Sequence, residues 1–285
     1  MSFKDYCRRV LNEETDIISA KAKLDAKRRG LKHQSHNVWK DKGGQKYNWN
    51  KMLKRFERIE NKSKEEKHFE FTDKTKKLED GTVLHQIKAN KNLPMYNVKK
   101  GDVGGWIEKP ENLSGNAWVY GKAQVSGDTI VSGDAWVYGN VKITGNTWVY
   151  GKAQVSGNAR VFGDAIVSGN AWVYGDTWVY GNSRVSGNAR VFEKAWISED
   201  AWISEDAWIS GNAWISGNAK VSGNTKVSED AWVYGKAWLY GDVQVSGNAQ
   251  VSGKAHIFGY VSGNARVSGN AKISRNKIIT SGEYK

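Results

Sequence analysis

Side chains able to do chemistry are sparse in this 285-residue chain, which holds five histidines and one cysteine. His256 is the only histidine inside a long run of repeats, and an imidazole there acts as a general base only if a pocket holds an acceptor against it. Its plainer reading is an outward side chain on one turn of the repeat. His33 and His36 could form a weak metal pair, but no partnering cysteines accompany them, so no metal site is expected. Cys7 alone makes neither an internal disulfide nor a cysteine cluster, which suits a reducing compartment. Asn61-Lys62-Ser63 and Asn112-Leu113-Ser114 are formal glycosylation sequons that carry meaning only in an exported chain. No catalytic residue and no cofactor is assigned.

Aromatic and cationic residues give the richer signal. Twelve of the 14 tryptophans, from Trp106 to Trp238, stand directly before an aliphatic residue. That aliphatic recurs at every sixth position from Val119 to Ile257, 24 times in all. A small residue precedes it by two, and Gly (Glu in variant units) follows it by two, then Asn, Asp or Lys, giving the unit Gly-Asn-Ala-x-Val-x. In an extended segment the small and branched residues point one way and the x residues the other. The core is thus aliphatic and the indoles face out. Gly-Asn supplies the corner, because both residues tolerate positive φ. Three such segments close a triangular coil of about 18 residues, and about ten coils would stack at roughly 4.8 Å each. The expected fold is mainly β, a parallel β-helix. Ile257-Phe258-Gly259-Tyr260-Val261 brings the next aliphatic after four residues instead of six, which implies one shortened corner.

Positions folded by 18 place Trp178, Trp196, Trp214 and Trp232 on one face in consecutive coils, preceded there by Lys142 and Arg160. Another face carries Trp118, Trp136, Trp172 and Trp208, and the remaining one mixes Trp148, Trp202 and Trp238 with Arg184 and Lys220. Such rows can stack on one another and shield backbone. Alternatively a long apolar strip marks a contact surface, for self-association as a trimer or dimer, or for a glycan or unpaired bases.

The repeat unit resembles the hexapeptide-repeat superfamily of left-handed β-helices, and the left hand expected here is implied by that resemblance. Lys99-Lys100-Gly101-Asp102-Val103-Gly104-Gly105-Trp106-Ile107-Glu108, followed by Asn112-Leu113-Ser114 and Asn116-Ala117-Trp118-Val119, is similar to the opening of a transferase-like subgroup common in bacteria and their phages. The resemblance covers about residues 78–280 and brings no settled activity. Acyltransferases of the superfamily use a His base beside a coenzyme A groove, usually with loops inserted between coils; here the repeats run uninterrupted.

The net charge of +13 is uneven: residues 1–105 carry 26 Lys/Arg against 15 Asp/Glu, residues 106–285 carry 17 against 15. Residues 1–67 are expected to be a basic helical region. Apolar spacing suggests one helix over residues 3–30, a loop over 31–48 and a second helix from Trp49 to Ile59. Lys27, Arg28, Arg29, Lys51, Lys54 and Arg55 are its candidate contacts to a nucleic acid or an acidic protein. Residues 68–105, with an Asp80-Gly81 turn, are expected to be a small β cap on a β-helix spanning 106–285, whose end, Lys277 to Lys285, would close it. No stretch approaches the roughly 18 apolar residues of a membrane span, so a location in the cytoplasm of a bacterial host or in a phage particle is expected. Together these features suggest a non-enzymatic, phage-associated binding or structural protein. The alternatives are an acyltransferase-like enzyme working near His256 and a glycan-gripping particle component.

Overall fold

The structure is a computed structural model that describes residues 67–285 continuously and, before them, four short strands within residues 32–58. The chain forms two compact units, Met1–Lys67 and His68–Lys285. Among the described residues no helix is long and apolar enough to cross a membrane.

In the first unit β1 (Lys32–Ser35), β2 (Val38–Lys40), β3 (Lys46–Asn50) and β4 (Arg55–Arg58) form an antiparallel sheet in sequential order. This corrects both the loop expected over 31–48 and the helix expected from Trp49 to Ile59. Tyr47 and Trp49 alternate with Asn48 and Asn50, a two-residue period that competes with the helical spacing of Trp49, Met52, Leu53 and Phe56. Pairing resolves the competition in favour of the strand, with Trp49 opposite Phe56 and Asn50 opposite Arg55. The helix expected over 3–30 lies outside the described residues.

The second unit begins with an antiparallel meander of β5 (Phe69–Lys77), β6 (Val83–Ala89) and β7 (Val103–Ile107). Its first turn is held by the Thr82 N–H, which donates to Asp80 Oδ1 at 2.9 Å, with Gly81 at φ +90°. β7 then turns to parallel pairing, Trp106 against Gln124, and so hands the sheet on to the coils.

Beyond it the chain winds into a parallel β-solenoid of about ten turns, with three sheets that share its length. On the first face Trp118–Val119, Trp136–Val137 and Gln154–Val155 pair in register at intervals of 18 residues. The second face runs Gln124, Lys142, Arg160, Trp178, Trp196, Trp214, Trp232, Gln250. The third runs Ile130, Trp148, Ile166, Arg184, Trp202, Lys220, Trp238, His256. The aliphatic of each unit and the small residue two before it fill the core; Ala153, Val155, Ala207 and Ile209 are 0% exposed. Each buried Val or Ile contributes about 1.5–3 kcal/mol, which is how six-residue units with only two inward side chains sustain a rod.

The corners carry their own ladder. Asn140 Nδ2 donates to Asn158 Oδ1 at 3.2 Å and Asn158 Nδ2 to Asp176 Oδ1 at 2.8 Å, and Asn170, Asn188 and Asp206 repeat the pattern. Glutamate replaces the corner glycine at Glu193 and Glu229, both at φ +61°. Each accepts a bond from the backbone N–H of the glycine one coil on, Gly211 at 2.5 Å and Gly247 at 2.7 Å, and this charge-assisted bond offsets the cost of left-handed backbone.

The shortened unit after Ile257 leaves a tighter corner at Phe258-Gly259. Tyr260 pairs with Gln244, so that coil has 16 residues, and Gly241 is left with no atom above it within 4 Å of an added Cβ. Ile278–Ile279 and Glu283–Tyr284 then pair onto Tyr260–Val261 and Arg266–Val267, so the tail extends two of the ladders instead of forming a separate closing element.

Candidate ligand-binding face

The second face brings together the six solenoid residues that the 18-residue folding groups there. Lys142 pairs with Arg160, Arg160 with Trp178, and Trp178 through Trp196 and Trp214 to Trp232. Parallel register forces this: each residue stands above the one 18 before it, on the outward side of its strand.

The rings use one another. Trp178 and Trp196 stack at 5.2 Å with planes 12° apart, and Trp196–Trp214 and Trp214–Trp232 follow at 6.0 and 5.1 Å. The Arg160 guanidinium covers the other side of Trp178, 4.7 Å from its centroid. Beside this column Phe162 stacks on Tyr180 at 5.1 Å. The same device recurs elsewhere: Arg190 lies between Trp172 and Trp208 at 5.3 and 5.4 Å, and Arg184 and Lys220 flank Trp202. Both π-faces of Trp178 are therefore occupied, one by Arg160 and the other by Trp196.

One tryptophan departs from the expected exposure. Trp118 occupies the outward position of the first coil yet is 0% exposed, because the cap covers it, with His68 packed 6.2 Å away and Gly104 close against the ring. A Cβ on Gly104 would fall 2.8 Å from Trp118 Cζ2, so the glycine is what lets β7 lie against the indole. His68 in turn bonds the Ala117 carbonyl at 2.7 Å, and buried Tyr96 donates to the Ala135 carbonyl at 3.4 Å, its pKa pushed far up by burial.

At the cap end of the second face lies an open groove of 520 Å³ lined by Lys76, Gln124, Asn140, Lys142, Asn158, Arg160, Asp176 and Trp178. Three cations converge there with three amides, one carboxylate and an indole wall. Gln124 shares a column with Lys142 and could have been found by the same 18-residue count. Asn140, Asn158 and Asp176 form the adjoining corner ladder. Lys76 had no sequence signal, since it belongs to the hairpin of the cap.

The remaining candidates lie apart. His256 is on the third face, its ring edge-on to Trp238 at 5.4 Å, with Lys272 as its neighbour one coil on. Arg55 opens β4 in the other unit, and Lys27, Arg28, Arg29, Lys51 and Lys54 lie outside the described residues.

Three stretches of the solenoid, residues 123–139, 153–169 and 183–199, match a family model. They are similar to the YdcK beta solenoid repeat. The matched stretches start on the second, first and third faces in turn, so what the model captures is the six-residue unit independent of the face it occupies. No curated protein matches the chain.

Proposed function

We propose that this chain is a non-enzymatic binding protein: a rigid β-solenoid whose second face receives an acidic partner at the groove beside Trp178. The observation that carries the proposal is the convergence of Lys76, Lys142 and Arg160 on one groove. Lys142 and Arg160 are held one coil apart by backbone pairing, so their spacing is set before any ligand arrives. The basic N-terminal third, with its excess of 11 positive charges (26 against 15), adds long-range attraction for the same class of partner. The left-handed sense of the coil is part of this proposal and is supported by the strict six-residue unit with its glycine corner.

The test is a titration of full-length protein and its Lys142→Gln/Arg160→Gln variant with dextran sulfate, followed by tryptophan fluorescence. The variant should bind several-fold more weakly and show a shallower salt dependence, because each displaced cation removes a share of counterion release. Equal affinity and equal salt slope in the two proteins would refute the proposal.

A further inference from the structure

We infer that the groove of the second face is a site for an acidic glycan, a sugar chain bearing carboxylates, lying against Lys142, Arg160 and the corner residues Asn140, Asn158 and Asp176. This rests on the binding function proposed above and specifies its partner.

Two partner chemistries fit three cations, and the lining separates them. A single-stranded nucleic acid needs cations for its phosphates and open aromatic faces for its bases. Here the Trp178 ring is covered on one side by Arg160 at 4.7 Å and on the other by Trp196 at 5.2 Å, so no base can stack on it. Asp176 also sits in the groove, where it accepts from Asn158 Nδ2 at 2.8 Å and where a sugar hydroxyl, unlike a phosphodiester, has an O–H to donate to it.

A sugar chain has the opposite requirements. Its hydroxyls each donate and accept, so recognition calls for amides and carboxylates together, and the groove offers Gln124, Asn140, Asn158 and Asp176. Asn140 and Asn158 are anchored by their ladder bonds to Asn158 and Asp176, yet an amide has two N–H donors and two carbonyl lone pairs, leaving each with capacity turned to solvent. Lys142 and Arg160, both exposed, stand ready for ring carboxylates. The volume of 520 Å³ lies within the range of small-ligand sites, enough for a short run of sugars.

Asp176 helps make the inference testable, because it offers a deoxynucleotide backbone only repulsion but can also accept from sugar hydroxyls, so its removal should favour the tetranucleotide more than a sugar chain. Lys194 occupies the same corner column one coil on, so this corner does not require an acid to fold. Full-length protein, Asp176→Ala and Lys142→Gln/Arg160→Gln would each be titrated calorimetrically with trigalacturonate and with a thymidine tetranucleotide. Trigalacturonate should bind the unmodified protein, lose roughly tenfold or more in affinity in the double variant, and gain less than the tetranucleotide in Asp176→Ala. A gain for trigalacturonate in Asp176→Ala as large as that of the tetranucleotide overturns the glycan assignment. So does a tetranucleotide that binds as tightly as trigalacturonate and depends equally on Lys142 and Arg160; that result leaves the acidic-partner function standing. If neither oligomer distinguishes the double variant from the unmodified protein, both the glycan assignment and the function beneath it fall.

Discussion

Gly223 and Gly241 occupy the same corner column in successive coils, at φ +73° and +91°, and they separate two reasons why a corner selects glycine. A Cβ at Gly223 would lie 2.6 Å from the Gly241 nitrogen, 2.8 Å from its Cα and 3.0 Å from its carbonyl oxygen, whereas a Cβ at Gly241 meets nothing within 4 Å, the next corner being two residues shorter. Gly241→Ala therefore bears only the left-handed backbone cost, about 1–2 kcal/mol, less about 0.4–1 kcal/mol from the stiffer unfolded chain. A net loss of about 1 kcal/mol follows. Gly223→Ala bears the same loss plus overpacking against backbone that cannot rotate aside, about 1–3 kcal/mol more, for about 2–4 kcal/mol in total. Urea unfolding followed by tryptophan fluorescence compares the two, with the slopes checked because stacked repeats need not unfold in one step. If Gly241→Ala proves as damaging as Gly223→Ala, positive φ and not coil stacking sets the glycine requirement, and the steric argument is wrong.

Three further outcomes are expected. Trp118→Ala should cost about 3–5 kcal/mol and Trp172→Ala less than about 1 kcal/mol, although both stand at the same position of the unit, since Trp118 is 0% exposed and Trp172 42%; matched denaturation midpoints would deny the role of the cap. Glu229→Ala keeps left-handed backbone and loses the bond to Gly247, for a loss of about 1 kcal/mol, while Glu229→Gly should be closer to neutral, a ranking that thermal melts can read. The Thr82 N–H holds the Asp80 carboxyl below its usual range, so the stabilisation of the hairpin is complete above the ordinary aspartate pKa and is lost as pH falls through the lowered value. Amide exchange at Thr82 should accelerate on that acid limb, and unchanged protection would show that the turn does not depend on Asp80.

The solenoid was readable from spacing because each coil repeats the same geometric demand. A residue's column is its number modulo 18, so Lys142, Arg160 and Trp178 could be aligned by counting, and parallel pairing places them so. Orientation within a column could not be counted. Whether a ring shows its face or its edge depends on its neighbours' rotamers, and the Trp178–Trp196 pair takes the stacked arrangement, one of the two readings the spacing allowed. Lys76 and the burial of Trp118 depend on how a hairpin packs over the coil, a long-range contact that no local period encodes. In the first unit two periods competed over Trp49 and Phe56, and a strand partner decided between them.

The corner ladders bear on how such a chain can lengthen. Every aspartate of the ladder but one is followed 18 residues later by asparagine or lysine, as Asp134 by Lys152, Asp164 by Asn182, Asp176 by Lys194 and Asp206 by Asn224, the exception being Asp242, followed by Tyr260, so no two carboxylates are stacked. Duplicating a single six-residue unit would rotate everything downstream by one face and scramble those neighbours, together with the ranks of arginine over indole. Duplicating one whole turn would keep each residue on its face but stack each ladder aspartate of that turn on its own copy, whereas duplicating two turns would keep an amide or a cation between them. Growth in descendants of this molecule should accordingly come in pairs of turns, with the gene's own copying errors filtered by electrostatics.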